Sequence, residues 1–249
     1  SPNLLREYLV DLRERGLADR TIHHHASAAR AFFNFCAEEE LIQVSPMLRV
    51  HMPRLPKEIL PALSAADVLA ILAACENDRD RAIILVLLDT GCRLAEFIGL
   101  RVGHVDLTAD TIMIRQGKGK KDRVTFIGPQ AKRALRKYLI TRPDAQPNDA
   151  LWLTEDGSRP LTLHGMQRLL QRIGDRAGVE NCHAHTFRRT FALESLRAGM
   201  DIFALQRIMG HADLGILRKY LDQNQDDLQK AHAEHGAVTS LLSAKRGKR

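Results

Sequence analysis

Apolar residues recur at helical spacing over most of the chain and form short β-branched runs in one place only. Leucines repeat through residues 3 to 15, NLLREYLVDLRER, and stop before Gly16, which predicts a helix. A second helix is predicted over 19–39, with Ile22, Ala26, Ala29, Phe33 and Cys36 on one face. Prolines at 46, 53, 56 and 61 then forbid a continuous helix, so SPMLRVHMPRLPKEILPALS reads as an extended linker. Ser64 and Asp67 form a capping box for a helix reaching about Cys75. Residues 80 to 90, DRAIILVLLDT, are nearly all apolar and predict a central helix that Gly91 ends; RLAEFIGL begins another, short one. TIMIRQ and DRVTFI flank GKGKK and predict a β-hairpin with a glycine-rich, basic tip. Further helices are predicted at about 129–140, 163–177, 185–198, 201–209, 213–221 and 224–234. No internal repeat is evident.

The expected fold is mainly α with a small antiparallel β-sheet, preceded by a short helical N-terminal domain. The boundaries are a helical domain at 1–50, a proline-rich linker at 51–62, a larger domain at 63–235 and a basic tail at 236–249.

At 249 residues the chain is long enough to bury a core, and no apolar run reaches the length of a membrane span. The N-terminus lacks the apolar segment of a secretory signal. A formal charge of +7 favours an anionic partner, nucleic acid before a membrane surface. Cys36, Cys75, Cys92 and Cys182 make no C-x-x-C pair, and three sit in apolar surroundings. They read as reduced, buried thiols of a cytosolic protein.

Four stretches place cations or imidazoles beside helix breaks. In TGCRLAE, Arg93 opens a helix with Glu96 one turn later. Arginine's planar fork suits two phosphate oxygens, and Glu96 could hold it in place, although such i,i+3 pairs are common on surfaces. In RQGKGKKDR, Lys118 sits at a tip whose glycines allow close approach to a phosphate, where a solvated turn is the plain alternative. In HAHTFRRTFA, His185 and Arg188 share a helix face, with Phe187, Phe191 and Leu196 on the apolar side. An imidazole beside a guanidinium stays neutral and able to accept a proton. In GHADLGILRKY, Gly210 ends a helix, His211 lies at the turn and Tyr220 lies on the next short helix. A free phenol, with a pKa near ~10, is mostly protonated at neutral pH, so a tyrosine nucleophile needs cations around it. His183, His185 and His211 also allow a zinc reading, which the missing H-E-x-x-H and the cysteine positions disfavour.

Two arginines, a lysine, two histidines and a tyrosine suit phosphodiester transesterification without a metal. Preorganised donors such as Arg93 and Arg188 contribute about 3–4 kcal/mol each to a transition state that gains charge on its non-bridging oxygens. Lys118 could protonate the leaving 5′ oxygen, His185 take the Tyr220 proton and His211 donate to a phosphate oxygen.

In this order, TGCRLAE, GKGKKDR, HAHTFRR and MGHADLGILRKY resemble the tyrosine recombinase (phage integrase) family, nearest to Xer-like and transposon-encoded integrases, over about residues 63 to 235. The resemblance implies that Arg93 and Arg188 are the catalytic arginines, Lys118 the hairpin lysine, His185 and His211 the two histidines, Tyr220 the nucleophile and Glu96 the supporting acid. It implies site-specific cutting and rejoining of double-stranded DNA through a 3′-phosphotyrosyl bond, with no ATP, metal or other cofactor. It implies four protomers on two duplexes, a free monomer also being compatible, and a cytoplasmic, nucleoid-associated bacterial enzyme. The helix at 224–234 resembles the element that docks on a neighbouring protomer. The family's H-x-L-R-H is changed here at Phe187 and Arg189, neither of which carries one of these roles. Its core-binding domain has four or more helices, of which residues 1 to 50 match the last two. The helix at 19–39 aligns with the groove-facing helix, so Arg20, Thr21, His24 and His25 are DNA-contact candidates. Lys120, Lys121 and Arg123 are expected on phosphates, which positions a protein without specifying sequence. A type IB topoisomerase, a catalytically idle DNA-binding protein and a zinc hydrolase are the competing readings. The short chain and the docking helix favour a recombinase over the first, and the complete set of six residues disfavours the second.

Overall fold

The computed structural model describes residues 1–55, 62–115 and 122–210. The chain divides into two compact units, Ser1–Ile59 and Leu60–Arg249.

In the first unit, α1 (Pro2–Glu14) is capped by the Ser1 hydroxyl, and α2 runs over Asp19–Glu38. Ile22, Ala26 and Cys36 of the predicted α2 face are buried, together with Leu12, Met47 and Val50. The stretch read as extended from Ser45 onward contains a 3₁₀ turn, Pro46–Arg49. Proline suits that position, because its fixed φ matches a first helical turn and its missing N–H would be unpaired there anyway. Burial of Met47 anchors the turn.

The second unit is built on α4 (Asp78–Thr90), whose Ala82, Ile83, Ile84, Val86 and Leu87 are buried. Against α4 pack α6 (Pro129–Ile140) and α8 (Ala184–Arg197). The predicted capping box opens α3 (Ala65–Ala73): the Ser64 N–H donates to Asp67 at 2.8 Å and the Asp67 N–H returns to Ser64 Oγ at 3.1 Å. The remaining helices are α5 (Leu94–Ile98), α7 (Leu163–Ala177) and α9 (Ile202–Met209). Trp152 stacks on Phe97 and Tyr138, with ring centroids 4.8 and 5.7 Å apart.

The hairpin forms as expected from β2 (Thr111–Ile114) and β3 (Arg123–Phe126), paired antiparallel with Ile112 opposite Thr125 and Ile114 opposite Arg123. A third strand, β1 (Val105–Asp106), extends the sheet in the order β1-β2-β3. Two residues are too few to show alternation, so it left no pattern to read. The hairpin tip and the helices expected at 213–221 and 224–234 lie outside the described residues. Among the described residues, no helix is long and apolar enough to cross a membrane.

Candidate active site

Gly91 ends α4 in the left-handed region, at φ 56°. The chain turns sharply there and delivers Arg93 to the N-terminal cap of α5. The Arg93 N–H donates to Glu96 Oε2 at 3.1 Å, and its Nη1 donates to Oε1 at 3.0 Å, so the i,i+3 pair is made. Arg93 Nη2 reaches the Gly210 carbonyl at 3.1 Å. Its side chain remains 40% exposed.

Arg188 projects from α8 and is buried. Its Nη1 donates to the Gly91 carbonyl and its Nη2 to the Met209 carbonyl at 2.9 Å. Both acceptors lie at helix C-termini, where unpaired carbonyls and the helix dipole favour a cation. His185, one turn earlier on the same helix, is exposed. Cys92, Arg93, Gln167, His183, His185 and Arg188 line one cleft of about 440 Å³. It presents two guanidinium groups and two imidazoles, which suits an anion.

The buried thiol of Cys92 in this cleft is pushed up to about 11 by desolvation, so it stays protonated at neutral pH. Cys75 is likewise raised to about 11 and Cys182 to about 12, each chiefly by burial. None of the three is a thiolate nucleophile near neutrality. No group of three metal-ligating side chains occurs among the described residues.

Glu96 joins two arginines. Arg123 Nη1 donates to Oε1 at 3.1 Å and Nη2 to Oε2 at 2.6 Å. Burial raises the Glu96 pKa, but hydrogen bonds from the Arg123 side chain and the Arg93 backbone outweigh it and hold the group at about 2. A folded-state pKa below the unfolded value of 4.5 gives stability that is complete above pH 4.5 and is lost as pH falls toward 2. Glu96→Gln is therefore expected to be less stable than wild type at pH 7 and to lose stability less steeply between these pH values. Urea titrations over that range read this directly, and identical slopes for the two proteins would remove the linkage.

The sequence-predicted residues Arg93, Glu96, His185 and Arg188 thus come together. Lys118, Lys120, Lys121, His211 and Tyr220 lie outside the described residues. Arg123, expected on a DNA phosphate, is only 10% exposed and directs its guanidinium to Glu96 and, through Nε, to the Ile208 carbonyl at 2.8 Å. The sequence alone groups Arg123 with the basic residues beside the hairpin tip and assigns no face to its strand. In β3, Val124 and Phe126 are the exposed positions and Thr125 is buried. Strand periodicity places Arg123 on the Thr125 face once that parity is known. The α2 candidates Arg20, Thr21, His24 and His25 are exposed in the first unit, where His25 Nδ1 shares a hydrogen bond with the Tyr8 hydroxyl at 2.8 Å.

Comparison with known proteins adds a family and a fold. Residues 61–227 match the phage integrase family. The chain is 30% identical over 242 residues to the tyrosine recombinase XerC of Bacillus subtilis (strain 168), covering 92% of this chain and 79% of that protein. It is 32% identical over 240 residues to the tyrosine recombinase XerA of Thermococcus kodakarensis, covering 94% and 82%. Among solved structures, the Tn1549 transposon integrase in complex with circular intermediate DNA superposes with a TM-score of 0.74 at 20% identity, over 94% of this chain and 84% of that one. At that identity the likeness is one of fold.

Proposed function

From a chain that belongs to the phage integrase family, as a tyrosine-type site-specific recombinase, we propose a reaction in which Tyr220 cuts and rejoins double-stranded DNA through a 3′-phosphotyrosyl bond. The observation that carries the proposal is the convergence of Arg93, Arg188 and His185, from α5 and α8, on one cleft.

The scissile phosphate sits between the two guanidinium groups, which take up the charge that builds on its non-bridging oxygens. The Tyr220 oxygen attacks phosphorus as the P–O5′ bond breaks. Its phenolic proton passes to His185, and Lys118 supplies the proton that the leaving 5′ oxygen needs. His211 donates to a non-bridging oxygen. A 5′-hydroxyl from a partner duplex then attacks the phosphotyrosine and releases the phenol. One phosphate ester is made for each one broken, so the exchange consumes no ATP, and the protein's cations do the work of a Lewis acid. Four protomers acting on two duplexes complete the exchange. Lys120 and Lys121 contact phosphates beside the tip, and Arg20, Thr21, His24 and His25 face the duplex.

A nicked suicide substrate tests the reading, because loss of the short 5′-hydroxyl fragment traps the covalent stage. Incubation in EDTA is expected to give a protein–DNA adduct on denaturing gels, with the nucleotide attached to the peptide that contains Tyr220. Attachment at another residue, or an adduct that EDTA abolishes, overturns it.

A further inference from the structure

Three consecutive carbonyls at the end of α9 are each taken by a different arginine. Arg123 Nε holds Ile208, Arg188 Nη2 holds Met209 and Arg93 Nη2 holds Gly210, at 2.8, 2.9 and 3.1 Å. These are carbonyls that a helix terminus leaves without intrahelical partners. Arg93 and Arg188 open onto the cleft, whereas Arg123 does not line it. Arg123 instead closes a ring: β3 to Glu96 on α5, Glu96 to Arg93, Arg93 to Gly210, and back through Ile208 to β3.

We infer that Arg123 is a positioning residue for cleavage, which sets the Arg93 guanidinium through Glu96 and fixes the end of α9, and that it makes no DNA contact. The inference rests on the reaction proposed above. A half-buried carboxylate with two cationic partners divides its pull between them. Without Arg123, Glu96 keeps only Arg93, and the Arg93 fork is drawn toward Glu96 and away from the cleft. The Ile208 carbonyl, three residues before His211, loses its tie as well. Only a planar fork serves Glu96 with both terminal nitrogens while Nε points to a third acceptor; a lysine ammonium lacks that geometry. Gly210 completes the arrangement. A Cβ there would lie 2.9–3.0 Å from the Arg123 guanidinium, which is held by three hydrogen bonds and has little room to yield.

The test is single-turnover cleavage of the suicide substrate by Arg123→Lys, with the DNA affinity of Arg123→Gln, which removes the charge, measured across a salt series. Displacing a reacting group by about an ångström costs about 10²-fold, and a loss of that order at saturating DNA is expected. The slope of log affinity against log salt is expected to match wild type, since losing a real phosphate contact changes it by about 0.9. Because Arg123 acts through Glu96, adding Glu96→Gln to Arg123→Lys is expected to slow cleavage little beyond the slower single variant. A slope reduced by about 0.9 with normal cleavage, or losses that multiply in the double variant, overturns the inference. Should Arg123→Lys not fold, Gly210→Ala, which crowds the same guanidinium, is expected to show the same slow cleavage at an unchanged salt slope; wild-type cleavage by a folded Gly210→Ala protein overturns the inference. If wild type itself forms no Tyr220 adduct, the proposed reaction has failed. If wild type cleaves and Arg123→Lys matches it, only the positioning role has failed.

Discussion

Arg188→Ala is expected to slow single-turnover cleavage by about 10³-fold, the upper range for removing one preorganised donor from a developing oxyanion. The size follows from how the guanidinium is held. It is buried, with one terminal nitrogen on the Gly91 carbonyl past α4 and the other on the Met209 carbonyl of α9. Two helix termini therefore set the plane of the fork before any phosphate arrives, and no reorganisation is needed in the transition state. Arg188→Lys tests that reasoning, because it keeps the charge and discards the plane. It is expected to recover no more than about tenfold of the loss, since a point charge cannot reproduce both anchors and the phosphate geometry. The variants also leave buried carbonyls unpaired, at about 1–3 kcal/mol for each orphaned group, so both are expected to melt below wild type. Rapid-quench cleavage at saturating DNA, in buffer well below the melting temperature, separates the two effects. Cleavage within a few-fold of wild type by folded Arg188→Ala would reduce the residue to a structural tie between helices.

The same arginine shows what could be read from the chain and what could not. Helix positions were legible wherever side chains alone decide them: the apolar run of α4, the Gly91 stop, and the Ser64–Asp67 box before α3. The Arg93–Glu96 pair was legible from its i,i+3 spacing. The partners of Arg188 were not, because they are backbone carbonyls, and every residue carries one. The Glu96 partner of Arg123 was not legible for a different reason. The residue was grouped with Lys120 and Lys121 by charge, and its strand exposes Val124 and Phe126 and buries Thr125, so hydrophobic alternation gives no sign that Arg123 points inward. That inversion follows from Glu96, whose ionised carboxylate on α5 requires a cation on the inner side of the sheet. A charge demand created by tertiary contact overrode local pattern, and single-sequence periodicity carries no trace of it. The short β1 and the 3₁₀ turn at Pro46–Arg49 went unread because neither is long enough to establish a period.

Gly91→Ala is expected to destabilise the Leu60–Arg249 unit by about 2–4 kcal/mol, the sum of two separate costs. The first is conformational. Gly91 sits at φ 56°, where a Cβ is disfavoured by about 1 kcal/mol. The second is steric. The new methyl would lie 2.3 Å from Cδ1 of Phe191, a contact no rotamer of alanine relieves. Phe191 must move, and it packs on Ala192, Leu205 and Met209, which support the end of α9. Overpacking of this kind costs about 1–3 kcal/mol. For a unit of this size each kcal/mol lowers the melting temperature by roughly 2–4 °C, so a drop of about 5–15 °C is expected in calorimetry. The damage is not confined to stability, because the Gly91 carbonyl is the Arg188 anchor and Arg93 lies two residues on. Phe191→Leu separates the two costs: it removes ring atoms from the path of the methyl, so in the Gly91→Ala background it is expected to restore part of the lost stability and leave the cost of positive φ. A Gly91→Ala protein that melts with wild type would mean that the turn after α4 relaxes without moving Phe191, and the glycine would then have no steric role in placing the two arginines.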